Sequence, residues 1–203
     1  DEYKGKTLKI QWDLAENNAF TKFDPIRIYG WENAYRSLLT ENRLPLFLGC
    51  FLVIFGFSTL LITAFAIVIS AKYARILCIS AFCICMGLWT LCYYNVVLVF
   101  AIPLYSVSLI EYMALYLSPI PLILYMYENV KNLKNKLITT VYWLLFAVQM
   151  LFDIVFLGLH TMDIIHCAAV LKYFQAIIVC LLIFFIVVDI ISLKTSRFLN
   201  RLY

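Results

Sequence analysis

Four ionisable side chains fall inside strongly apolar runs of this chain: Glu111, Asp153, Lys172 and Asp189. A charge in hydrocarbon is expensive and usually faces a bundle interior, where it pairs or marks a pathway. Glu111, Asp153 and Lys172 each lie five to seven residues in from the same end of their runs. At a helical rise of about 1.5 Å per residue, all three sit roughly 8–10 Å below one surface. One amine and two carboxylates at one depth can form a structural ion pair that sets helix register. The same residues can instead line a ligand or ion site, or snorkel past lipid. Asp189 lies near the opposite surface, within reach of the interface. Lys172 is too close to a membrane surface for a retinal Schiff base, and no other feature supports a chromophore.

A second polar group, His160-Thr-Met-Asp163-Ile-Ile-His166, crosses a turn between two apolar runs. Neutral imidazole and carboxylate are zinc ligands. Positions i and i+6 of a helix point apart, however, and the chain has only 2 histidines. Interfacial turn residues are the simpler reading, with His160, Asp163 and His166 as an outer lid over the polar layer otherwise. Cys83-x-Cys85 lacks a second ligand pair, so buried structural cysteine is favoured over metal. No metal and no cofactor is expected. Ser/His/Asp sets, His-Glu-x-x-His and glycine-rich phosphate loops are missing from the sequence. The expectation is a chain that is not itself an enzyme.

The elements that must position these residues are membrane spans. Of 203 residues, 65% are hydrophobic and 14% charged, whereas a soluble domain is near half apolar and a quarter charged. Five runs reach the roughly 20 residues a span needs: 46–70, 76–94, 106–127, 137–159 and 165–193. The expected fold is therefore an all-α membrane protein, a helical bundle of five transmembrane spans over 46–203. Lys72, Arg75, Lys131, Lys134, Lys136, Lys194, Arg197 and Arg201 occupy alternate connections or the end of the chain. The other two connections, about 95–105 and 161–164, hold no Lys or Arg. That asymmetry predicts an outside amino end and a cytoplasmic carboxyl end in the plasma membrane. The net charge of +4 belongs to this pattern, not to nucleic-acid binding.

Residues 1–45 are different in character. Leu8, Ile10 and Trp12 alternate with Lys9 and Gln11 like a half-buried strand. Ile26–Tyr29 suggests another short strand, and Trp31, Tyr35, Leu38 and Leu39 fit a short helix stopped by Pro45. One or two strands form no independent core, so this segment reads as the end of a β-rich extracellular domain. The chain opens on Asp1-Glu-Tyr-Lys4 and closes on Asn200-Arg-Leu-Tyr203, and the expectation is a piece of a longer protein.

The third span carries a puzzle, Tyr112-Met-Ala-Leu-Tyr-Leu-Ser-Pro-Ile-Pro-Leu122. Pro119 and Pro121 deprive the carbonyls of Leu115 and Leu117 of their helical donors, and hydrocarbon supplies no water to replace them.

Gly87-Leu-Trp89 in the second span, this Ser118-Pro-Ile-Pro121 run, the lysine-rich turn after it, and Ile26-Arg-Ile-Tyr-Gly30 before a short helix and Leu44-Pro45 carry a resemblance. Together they resemble the sensory half of bacterial seven-transmembrane receptors with diverse intracellular signalling modules. The version found ahead of GGDEF-type diguanylate cyclase domains is the most similar. The opening Tyr3–Ile10 looks like a strand of that family's extracellular β-sandwich. The resemblance implies two further spans and a cytoplasmic output domain, an unknown extracellular ligand, and a homodimer. The Gly-Gly-Asp/Glu-Glu-Phe loop of a cyclase is absent from this chain. On this reading Ser118, Pro119 and Pro121 form a transmission hinge, with freed carbonyls taken up by hydroxyls, waters or neighbouring helices. The competing class is a small transporter or channel subunit using the buried charges as its pathway. It would be expected to show inverted repeats, and none are visible.

Overall fold

The computed structural model describes residues 31–70, 73–97, 104–162, 164–165 and 167–199. The strands expected at Leu8–Trp12 and Ile26–Tyr29 lie outside the described residues. The described residues are all-helical: α1 (Trp31–Glu41), α2 (Arg43–Ile69), α3 (Ala74–Tyr93), α4 (Leu104–Leu117), α5 (Pro119–Asn132), α6 (Lys136–Thr161) and α7 (Cys167–Leu199).

Five stretches are long and apolar enough to cross a membrane: Arg43–Val68, Ala74–Tyr93, Ser106–Asn132, Lys136–Thr161 and Ala169–Lys194. They coincide with the five apolar runs, as a multi-pass membrane protein requires. The third joins α4 and α5 across Ser118. The 33-residue α7 is about 50 Å long and so exceeds the hydrocarbon thickness.

One boundary differs from the sequence reading, and it follows from backbone hydrogen bonding. Pro45 does not stop a helix ahead of the first span. It sits in the first turn of α2, where the N–H it lacks has no intrahelical partner anyway. The break between α1 and α2 falls instead at Asn42, whose N–H still reaches Leu38 O at 3.1 Å.

At the other end of the bundle, Lys134 takes the left-handed conformation (φ 50°) and reverses the chain after α5. Asn135 then caps α6, its side-chain oxygen accepting from Leu137 N at 2.9 Å and Ile138 N at 3.4 Å. At this end Arg75 of α3 forms an ion pair with Glu128 of α5.

The helices pack in sequence. α2 lies chiefly on α3; α3 also meets α4 and α5; α5, α6 and α7 close the far side. The interior has two clusters. One gathers Ile123, Met126, Val130, Tyr142, Leu181 and Val188. The other gathers Tyr116, Phe152, Cys167, Val170 and Phe174. The broken span borders both, so its interruption lies at the centre of the packed part of the bundle.

Candidate functional site

The backbone at Ser118 stays in the right-handed helical region (φ −60°, ψ −31°), so the chain passes from α4 to α5 without a loop. What fails there is the hydrogen-bond ladder, and side-chain donors reach carbonyls at and beside the break. The Leu115 carbonyl, which loses its donor to Pro119, accepts from Ser118 Oγ at 2.8 Å and from Ser118 N at 3.3 Å. The next carbonyl, Tyr116 O, accepts from Gln149 Nε2 of α6 at 3.0 Å. Below the break, Tyr142 of α6 donates its hydroxyl to Ile123 O at 3.1 Å. Above it, the Tyr116 hydroxyl donates to Cys167 O at the start of α7, at 2.7 Å. The backbone around the prolines is thus tied to α6 and α7 by three buried polar side chains. Buried side-chain donors of this kind are how a membrane helix tolerates proline.

Aromatic rings fill the space between these bonds. Tyr116 has no exposed surface and lies 4.7 Å from Phe174, 5.4 Å from Phe152 and 6.0 Å from Tyr112, ring centre to ring centre. Tyr112 in turn meets His160 edge-on at 6.4 Å. The polar residues of α6 lie on one face: Tyr142, Gln149, Asp153 and His160 are separated by seven, four and seven residues, and all are buried.

Asp153 is only 3% exposed, and its Oδ1 accepts from Gln149 Nε2 at 2.9 Å. Its other oxygen, Oδ2, has no hydrogen-bond partner, and neither does Gln149 Oε1. At the Gln149–Asp153 pair acceptors therefore outnumber donors. The site holds no activated nucleophile, and no group of three His, Cys, Asp or Glu able to hold a metal occurs among the described residues. Cys83 and Cys85 are half-buried free thiols.

The three residues expected to share a layer do not meet. Asp153 faces the interior. Glu111 on α4 is half-buried and makes no hydrogen bond or ion pair among the described residues. Lys172 is exposed on α7, its Nζ 5.3 Å from the centre of the Tyr173 ring. Spacing along a run carries no information on rotation about the helix axis, which decides whether such residues face one another. Asp189 is exposed and accepts from Asn129 Nδ2 of α5 at 3.5 Å. Of the lid residues, His160 is buried beside Tyr112, while Asp163 and His166 lie outside the described residues.

Sequence reasoning singles out Asp153, Ser118, Pro119 and Pro121, which the structure places around the break, and passes over Gln149, Tyr116 and Tyr142, which bond there. The spacing of Gln149 and His160 with Asp153 on one helical face was a usable signal.

No family model, curated protein or solved structure matches this chain.

Proposed function

We propose that this chain is the transmembrane sensory module of a bacterial signal-transduction receptor in the plasma membrane. It relays an extracellular signal to a cytoplasmic output domain beyond Tyr203, a diguanylate cyclase making cyclic di-GMP. The amino end faces outside and the carboxyl end the cytoplasm, in keeping with the one-sided distribution of lysine and arginine. Residues 1–45 end an extracellular β-rich domain that meets the ligand, and the assembled receptor works as a homodimer.

The observation that carries this reading is the interrupted third span. Its ladder is broken at Ser118–Pro119; Ser118 takes up the freed Leu115 carbonyl, and Gln149 and Tyr142 of α6 bond carbonyls on either side of the prolines. Side-chain bonds of this kind exchange at less cost than a continuous helical ladder. Two packings of α4 and α5 against α6 can then lie close in energy, which is what a signalling element requires. Pro119 and Pro121 form the hinge, and Glu111, Asp153 and His160 line the side from which the signal arrives.

The test is to place Pro119→Ala and Pro121→Ala together in the full reading frame and measure cellular cyclic di-GMP. Restoring both backbone donors closes the ladder. Membrane insertion should be unchanged, while the difference between resting and stimulated output collapses by about tenfold, the ratio that a 1.4 kcal/mol shift in a two-state balance produces. Wild-type switching in the double variant would leave the prolines as packing features only.

A further inference from the structure

The orphaned oxygens in the bundle interior point to a ligand that the receptor reading does not require. Gln149 is fully buried and Asp153 nearly so, and the two sit one turn apart on the same face of α6. One hydrogen bond joins them, Gln149 Nε2 to Asp153 Oδ1 at 2.9 Å. The second half of each group, Gln149 Oε1 and Asp153 Oδ2, is an acceptor without a donor. Buried polar atoms are nearly always paired, so two orphans on adjacent groups need a common explanation.

Charge narrows the choice. Arg75 is held by Glu128 near the start of α3, and Lys172 is exposed against Tyr173. The titratable groups packed around Asp153 are Tyr112 and Tyr116 from α4, His160 from α6 and Cys167 from α7, with Glu111 of α4 next to Tyr112. From α5, Tyr125 and Tyr127 pack in the other cluster, around Tyr142. No Lys or Arg among the described residues faces the carboxyl. A bare carboxylate in such a place has neither a counter-charge nor a full set of donors.

We propose that Asp153 and Gln149 form a buried proton-binding site, the proton residing on Asp153 Oδ2 and directed to Gln149 Oε1. One proton taken up from water forms one O–H bond, removes the negative charge and converts an acceptor into a donor. Carboxylic acid and carboxamide then pair reciprocally, Nε2–H to Oδ1 and Oδ2–H to Oε1, and both orphans are satisfied by a single particle. A carboxyl group kept neutral so that it can donate is a known use of an apolar site. Gln149 Nε2 also holds the Tyr116 carbonyl beside the proline break. Loss of the proton leaves a charged group competing for that same amide, which links occupancy of the site to the break. The inference stands on the pairing of these two side chains and is independent of any signalling role.

Infrared spectroscopy of the protein in lipid vesicles, with and without carbon-13 aspartate, tests it directly. Wild-type protein at neutral pH should show an isotope-sensitive protonated-carboxyl band that Asp153→Asn removes. Asparagine supplies the missing N–H donor permanently, so this variant should fold with wild-type resistance to denaturant. A sodium ion is the rival occupant, and wild-type stability is therefore compared in sodium chloride and choline chloride at equal ionic strength. The expected result is no difference. Absence of the carboxyl band overturns the proposal, as does a sodium-specific stabilisation that Asp153→Asn abolishes.

Discussion

The α2–α3 pair and the α4–α7 assembly are built on opposite principles. In α2–α3 the backbones themselves approach. A Cβ added at Gly87 would lie 2.9 Å from Gly49 O and from Val53 N, and one at Gly56 would lie 2.9 Å from Ser80 O. Small residues permit this contact, and dispersion between backbones replaces a hydrophobic effect that lipid cannot supply. Polar contact between the two helices is modest, with the Ser80 and Thr59 hydroxyls 2.8 Å apart. The outer face of α2 is a ladder of exposed rings, Phe47, Phe51 and Phe55, stacked at 6.4 and 5.9 Å.

In α4–α7 large aromatics hold the helices apart, and buried side chains bridge the gaps by bonding to neighbouring backbones. Glycine is nearly absent from that half; Gly158 is its one example, and open space surrounds it. The first arrangement has one well-defined distance and little tolerance. The second is a set of replaceable bonds around an interrupted helix. The lesson is one of construction: α2–α3 is held by close backbone approach, and the half that carries the prolines by side-chain bonds.

Gly87→Leu is the strongest way to break the comparison. The new side chain meets backbone, which cannot step aside, so the cost falls at the upper end of the usual overpacking range, about 3 kcal/mol. Unfolding in mixed micelles should show the variant largely unfolded where the wild type is folded. A stable Gly87→Leu protein would mean that α2 is not braced on α3.

Gln149→Leu comes next. It removes the donor to Tyr116 O and to Asp153 together, two bonds at about 0.6 kcal/mol each and at most about 1.7 in a membrane. The same micelle titration should record a loss of about 1–3 kcal/mol. Hydrogen exchange should rise selectively around Ser118 in α4 and α5, while α2–α3 stays protected. Equal loss of protection in both halves would show that they are not separate units.

The smallest effect is a gain. At Gly158→Ala the new methyl meets nothing within 4 Å, and alanine raises helix stability over glycine by about 0.5–1 kcal/mol. The contrast between alanine here and alanine at Gly87 measures how differently the two halves are packed.

The sequence alone determined the membrane class and the number of spans, because hydropathy over about 20 residues is a local property that no packing detail overrides. It also marked the interruption, since proline removes a donor in any context. It set how far Glu111, Asp153 and Lys172 lie along their runs, because helical rise is constant.

Which way each residue faces was decided only by tertiary structure. Lys172 turns outward and Asp153 inward because the rotation of α6 and α7 follows from the aromatic cluster around Tyr116, a contact between helices far apart in sequence. For the same reason Gln149 was invisible as the partner of Tyr116. A proline break specifies that the backbone near it needs support, but not from which helix. The Gln149 amide braces Tyr116 O, the carbonyl between the two that the prolines free, because packing brings α6 across α4 at that turn.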